Sequence, residues 1–286
     1  FLSEMISSLP LIYGANKHSG DVKTTADGWK YYEHEDYVSI CGYSGKLTEL
    51  VIPAEINGKS VKRVEDNAFS GNTAITSVDL GSVTHLGYSI FEDCTKLTEI
   101  TIPNTVVEAG DGYWGGCINN SSIETVTFEE GIKKIPDYVC NGASSVKTVN
   151  LPEKEDTLDG YEIGVYAFRG TSLASVTLPE SLTAVNSSSF QDCALLTEIV
   201  IPENVTWIGN EAFSGCKRLK SIKLGSKVSE IGYSAFNECV SLESIDLGNV
   251  QKIGYNAFSG CTLMKELTIP KTVVEAGDDY WGGCIN

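Results

Sequence analysis

Nine cysteines are the residues of this chain best equipped for chemistry, and seven of them keep one spacing. Cys94, Cys117, Cys193, Cys216, Cys239, Cys261 and Cys284 each follow a large aromatic by three residues. That aromatic is Phe91, Phe190, Phe213, Phe236 or Phe258, with Trp114 and Trp281 in the same slot. Regular thiols invite three readings: metal ligation, nucleophilic attack and disulfide pairing. Metal sites need ligands grouped as in Cys-x2-Cys, whereas these thiols arrive one per 22 residues or more. A thiol nucleophile needs a nearby base. The only histidines are His18, His34 and His85, and none shares the register. Asn72 fills the cysteine slot of the first unit, which points to a small side chain capping turn backbone. Neighbours stacked near strand spacing are also compatible with disulfide geometry, so pairing stays open as the alternative.

The other candidate groups carry less. His34 lies in Glu33-His34-Glu35-Asp36, a charged hairpin turn rather than a ligand set. Asp111 and Asp278-Asp279 lie in glycine-rich turns, a setting compatible with weak calcium binding, but ordinary turn usage is the simpler account. No Gly-x-Ser-x-Gly, His-Glu-x-x-His or Gly-x4-Gly-Lys motif occurs. No catalytic residue, metal or cofactor is expected.

The elements that position the cysteines form a repeat. Units open at Leu47, Ile75, Leu97, Ile123, Val146, Leu173, Leu196, Leu219, Leu242 and Met264, at intervals of mostly 22 to 27 residues. A fixed period of this size means stacked supersecondary units. Each opens Leu-x-x-Ile-x-Ile, whose alternation predicts a short strand with one buried face. Pro53, Pro103, Pro179, Pro202, Gly225, Gly248 or Pro270 then ends it. A second apolar pair, such as Val228 and Ile231, leads into Gly-x-x-Ala-Phe. Phe69, Phe91, Phe168, Phe190, Phe213, Phe236 and Phe258 recur there, which predicts a stacked aromatic spine. Cys140 takes the Phe slot of its own unit.

The pattern Leu-x-x-Ile-x-Ile-Pro…Ile-Gly-x-x-Ala-Phe-x-x-Cys-x-x-Leu, from Leu47 to Asn286, resembles the BspA-type leucine-rich repeats of bacterial surface proteins. The resemblance implies a right-handed leucine-rich-repeat solenoid, with short strands on a concave face and turns, short strands and 3-10 segments on the convex side. It also implies a secreted or cell-surface location and a role in adhesion or protein binding, with no shared catalytic residues. The chain departs from the pattern at Glu153–Asp159, which lengthens a loop, and at Ile118-Asn-Asn after Trp114-Gly-Gly-Cys117.

Residues 1–24 read as a leader or linker, 25–46 as an N-terminal β-hairpin cap, and 47–286 as a solenoid of about ten units, the last truncated. The cap rests on two aromatic and β-branched runs around Glu35-Asp36; something must cover the first unit's apolar face. The stretch Glu99–Asn119 returns almost letter for letter as Glu266–Asn286, which implies duplication of a block of units. The second copy stops in mid-unit, so the natural protein is expected to continue, with other domains of a longer chain as partners. The first ten residues hold an acid and no basic stretch, unlike a signal peptide.

A formal charge of -17 opposes nucleic acid and anionic membranes, and no apolar run is long enough for membrane insertion. Function is therefore expected on the solenoid surface. The outward strand residues give a small, polar, mildly acidic face that includes Glu99, Thr101, Thr127, Asn150, Thr177, Glu198, Lys223, Asp246 and Glu266. It suits a weak multivalent contact, a glycan or a cationic segment; ordinary strand surface is the alternative. Tyr88, Tyr233 and Tyr255 follow the Ile/Leu-Gly pair, and the last two are expected to stack as a short exposed ladder for a sugar or partner loop. These features describe an extracellular recognition module for protein or glycan. The alternatives are a spacer displaying another domain and, more distantly, a glycan-active enzyme.

Overall fold

The computed structural model describes residues 20–111, 115–153 and 161–277. Among these, the chain winds as a β-solenoid without a helix, each unit contributing up to three hydrogen-bonded segments. The first is the strand of the Leu-x-x-Ile-x-Ile motif. Glu198–Val200, Ser221–Lys223 and Ser244–Ile245 pair in parallel, with Ile199 opposite Ile222 and Ile222 opposite Ile245. Matching registers put the apolar residue inward in every unit, since side chains alternate faces along a strand.

This front sheet is interrupted. It comprises Glu49–Val51 with Ser77–Asp79, then Glu99–Ile102 with Thr125–Phe128 and Thr148–Asn150, then the three strands above. The strands expected at Ser175–Thr177 and Glu266–Thr268 do not form. The first keeps only flanking bonds, Ser172 N–H to Val146 O and Thr197 N–H to Ala174 O. The second has a neighbouring unit on one side only among the described residues.

The second segment is a ribbon of two-residue strands, running from Lys134–Ile135 through Glu162–Ile163, Ala184–Val185, Trp207–Ile208, Glu230–Ile231 and Lys252–Ile253 to Glu275–Ala276. The glycine that follows the ribbon strand brings units close together. A Cβ on Gly254 would collide with Tyr233 N of the preceding unit.

The third segment is a turn column around the Ala-Phe pair. Alternate N–H groups donate to the next unit: Glu211 to Tyr233 O at 2.9 Å, Phe213 to Ala235 O at 2.8 Å and Gly215 to Asn237 O at 2.8 Å. The residue two before the Phe is left-handed in unit after unit, as at Asn67, Ser188, Glu211 and Ser234, and a second left-handed residue follows four later. Such residues break up successive helical turns. No 3-10 helix therefore forms among the described residues, contrary to the expectation for this side.

The core lies between these segments. Phe190, Phe213, Phe236 and Phe258 are fully buried and stacked, with centroids 5.4–5.5 Å apart. At the N-terminal end, Trp29–Glu33 and Val38–Tyr43 form an antiparallel hairpin, and the second strand continues in parallel onto Lys59–Val64. Trp29, 5 % exposed, meets Phe69 edge-on with centroids 6.3 Å apart, so the hairpin covers the first ring of the spine.

Candidate recognition surface

Five of the thiols cap backbone carbonyls. Cys94, Cys193, Cys216, Cys239 and Cys261 donate from Sγ to the carbonyl of the preceding unit's Phe, at 3.1–3.2 Å. Burial pushes Cys94 and Cys261 up to about 11 and Cys117 and Cys193 up to about 12, the direction expected when a thiolate is denied water. All eight described cysteines are free. Trp114, Trp281, Cys284 and Asp278-Asp279 lie outside the described residues, as does most of the leader 1–24. Among the described residues no three His, Cys, Asp or Glu gather into a metal site, and no helix is long and apolar enough to cross a membrane.

The front face alternates as its motif dictates. Glu99, Thr101, Asn150, Glu198, Lys223 and Asp246 are exposed on front strands or immediately beside one. Thr127 is half-buried and accepts from Asn150 Nδ2 at 3.0 Å. Thr177 and Glu266 are exposed but sit on the two segments that form no strand, so they do not extend the sheet. A shallow depression of about 360 Å³ opens beyond the last front strand, lined by Ser244, Asp246, Gly248, Thr268 and Pro270.

The tyrosine edge differs from the exposed ladder read from sequence. Tyr233 and Tyr255 stack at 5.3 Å between centroids and 8° between planes, yet both are half-buried. Each ring covers a face of its neighbour, and both stay partly exposed. Tyr88 is likewise half-buried, and burial is the main cause raising the phenols of Tyr88 and Tyr233. Tyr88 stands apart from the Tyr233 pair, beside Asp66, which accepts its backbone N–H at 3.2 Å.

A second stack was not read from the sequence. Tyr138 and Tyr166 lie parallel at 5.5 Å and 13°, with the Arg169 guanidinium 5.8 Å from the Tyr166 centroid. Both occupy the left-handed slot before the Ala position, at φ 62° and 56°. Bulky residues rarely adopt that conformation, and Asn, Ser or Glu fills the slot elsewhere. The available signal was the triplet before the Phe slot: Asp-Tyr-Val and Val-Tyr-Ala place the ring one residue later than Gly-Tyr-Ser does.

The family model described as "BspA type Leucine rich repeat region" matches in six copies, over residues 39–161 and 161–286. No curated protein matches the chain. Among solved structures, a leucine-rich repeat protein from Bacteroides ovatus is 19 % identical, with 92 % of each chain covered and a TM-score of 0.46. A leucine-rich cell surface protein from Faecalibacterium prausnitzii is 21 % identical over 93 % of each chain, with a TM-score of 0.41. The leucine-rich repeat protein of T. pallidum is 22 % identical, covering 92 % of this chain and 89 % of that one at a TM-score of 0.37. These superpositions are too loose to carry an argument; the repeat match carries the family.

Proposed function

The chain belongs to the BspA-type leucine-rich repeat family, and from that premise we propose that it is a non-enzymatic recognition module working outside the cell, binding protein or glycan through its surface. Solenoids of this kind present long binding surfaces rather than pockets. The observation that carries the reading is the edge of stacked tyrosines, Tyr138 with Tyr166 and Tyr233 with Tyr255. Aligned phenols offer a sugar or a partner loop both apolar ring edges and hydroxyls. The exposed polar residues of the front face, among them Glu99, Thr101, Asn150, Glu198 and Asp246, supply further hydrogen-bonding groups.

The test is an array of glycans and host proteins probed with the chain held multivalently on beads. A reproducible hit is expected, weakened in the Tyr233→Ala/Tyr255→Ala variant while thermal unfolding stays cooperative. Equal binding by that variant removes the tyrosine edge from the reading. Silence on both arrays removes the recognition role itself.

A further inference from the structure

We propose that residues 217–223, at the junction of the units opening at Leu196 and Leu219, hold an acidic polysaccharide of uronate type, through the cations Lys217, Arg218, Lys220 and Lys223. The inference deepens the recognition reading but uses residues on another part of the unit. Acids outnumber bases 38 to 21 in this chain, yet five of the bases fall between Cys216 and Val228, with no acid between Glu211 and Glu230. All five are exposed. Lys227 is engaged, donating from Nζ to Asn204 Oδ1 at 2.8 Å. The other four make no ion pair among the described residues, whereas Lys147, Arg169 and Lys252 pair with Glu124, Asp192 and Glu275 of neighbouring units. An exposed cation without an ion-pair partner is available for a charge-assisted hydrogen bond to a ligand's anion.

The surroundings select the kind of anion. Lys217 and Arg218 lie at the corner after Cys216, where the units on either side carry the neutral pairs Ala194-Leu195 and Val240-Ser241. Lys223 ends the middle strand of the three-stranded front sheet, whose backbone is bonded on both sides. A peptide therefore cannot add to the sheet here, since strand addition needs a free edge. Around the cations stand the hydroxyls of Ser221 and Ser244, which are register partners, and the exposed carboxylates of Glu198, Glu243 and Asp246. Those carboxylates repel a densely charged polymer such as nucleic acid or a heavily sulfated chain. They accept hydrogen bonds from sugar hydroxyls. A polymer with one carboxylate per sugar and free hydroxyls satisfies both groups at once, its carboxylates on the lysines and arginine and its hydroxyls on the acids and serines.

The probe is polygalacturonate, titrated against the whole chain, with neutral dextran, dextran sulfate and poly-glutamate alongside. Polygalacturonate is expected to bind most tightly and to weaken as salt rises. The variant Lys217→Ala/Arg218→Ala/Lys220→Ala is expected to lose roughly tenfold or more, three charge-assisted contacts being removed. Its melting temperature should stay close to that of the parent, because all three side chains are exposed. The Tyr233→Ala/Tyr255→Ala variant should bind polygalacturonate unchanged, which separates failure here from failure of the tyrosine edge. The assignment is overturned if polygalacturonate does not bind at low salt, or if the triple variant binds it equally. It is overturned too if poly-glutamate, dextran sulfate or neutral dextran binds as well or better. A dimer of the chain that the triple variant abolishes would give the patch to a second copy instead.

Discussion

The run of units from Phe190 to Phe258 and the units around Cys140 follow one formula but fill their cores differently. In the first region each unit supplies a Phe from the same slot, and the rings stack within 6° of parallel. In the second, the fully buried Cys140 holds the Phe slot with a side chain much smaller than a ring. A ring comes from another wall instead: Phe128, at the end of a front strand where other units carry Ile or Leu, meets Phe168 edge-on at 6.1 Å and 79°. Phe168 then tilts by 33° against Phe190 before the parallel stack begins. Thr171 likewise replaces cysteine, bonding the Phe168 carbonyl within its own turn at 2.8 Å and lying 3.3 Å from Cys193 Sγ. The repeat thus fills its core with a ring from either of two slots. Interiors packed to crystal-like density demand no more than that.

The largest break of this comparison is Phe213→Ala in the regular run. Its neighbours on both sides are rings fixed by the same stack, so the cavity cannot collapse, and about 3–5 kcal/mol of stability should be lost. Chemical denaturation measures it; a loss under about 1 kcal/mol would mean the spine relaxes freely. A sharper test restores the common formula in the irregular region. Cys140→Phe alone should cost about 1–3 kcal/mol, because Phe128 already occupies the space. Adding Phe128→Ile should recover most of that loss. Additive penalties in the double variant would show that the two side chains do not share one volume.

The smallest effect concerns pH. The buried thiol of Cys193 is held at about 12 against an ordinary value of 9.0. Below pH 9 neither folded nor unfolded chain ionises this group, and its contribution is constant. Above pH 9 the unfolded chain releases a proton that the folded chain keeps, so stability falls as pH rises towards 12, by at most about 1.4 kcal/mol per pH unit for each such thiol. Cys193→Ala should therefore show a shallower decline of unfolding free energy between pH 9 and 11 than the parent. Identical slopes would place that thiol in contact with solvent.

The front strands and the aromatic spine were legible because period-two and period-unit patterns map directly onto inward-facing positions. Val51 and Val200 are exposed for that reason despite being apolar. The thiol capping was legible from the Asn72 exchange, although its acceptor, the neighbouring Phe carbonyl, was not. The compensation by Phe128 was hidden because it trades volume between two slots twelve residues apart. Of the tyrosine edge, Tyr233 and Tyr255 could be found by register, while Tyr138 and Tyr166 escaped it by one residue. The missing front strands were not legible either, since pairing depends on the neighbouring unit rather than on the segment's own alternation.

The interrupted front sheet has a mechanical consequence. In a stacked coil the bonds between units lie along the long axis, so a pull on the two ends loads successive junctions in series, and the weakest junction bounds the tension the whole rod can bear. Around residues 173–179 no front strand forms and only flanking bonds remain, while the ribbon and turn column continue through Glu162–Ile163, Ala184–Val185 and the Phe168 to Ser189 bond. Force there is shared by two walls instead of three. A tether containing this chain is expected to yield at a junction that lacks one wall, of which this is one and the gap between Ser77–Asp79 and Glu99–Ile102 is another.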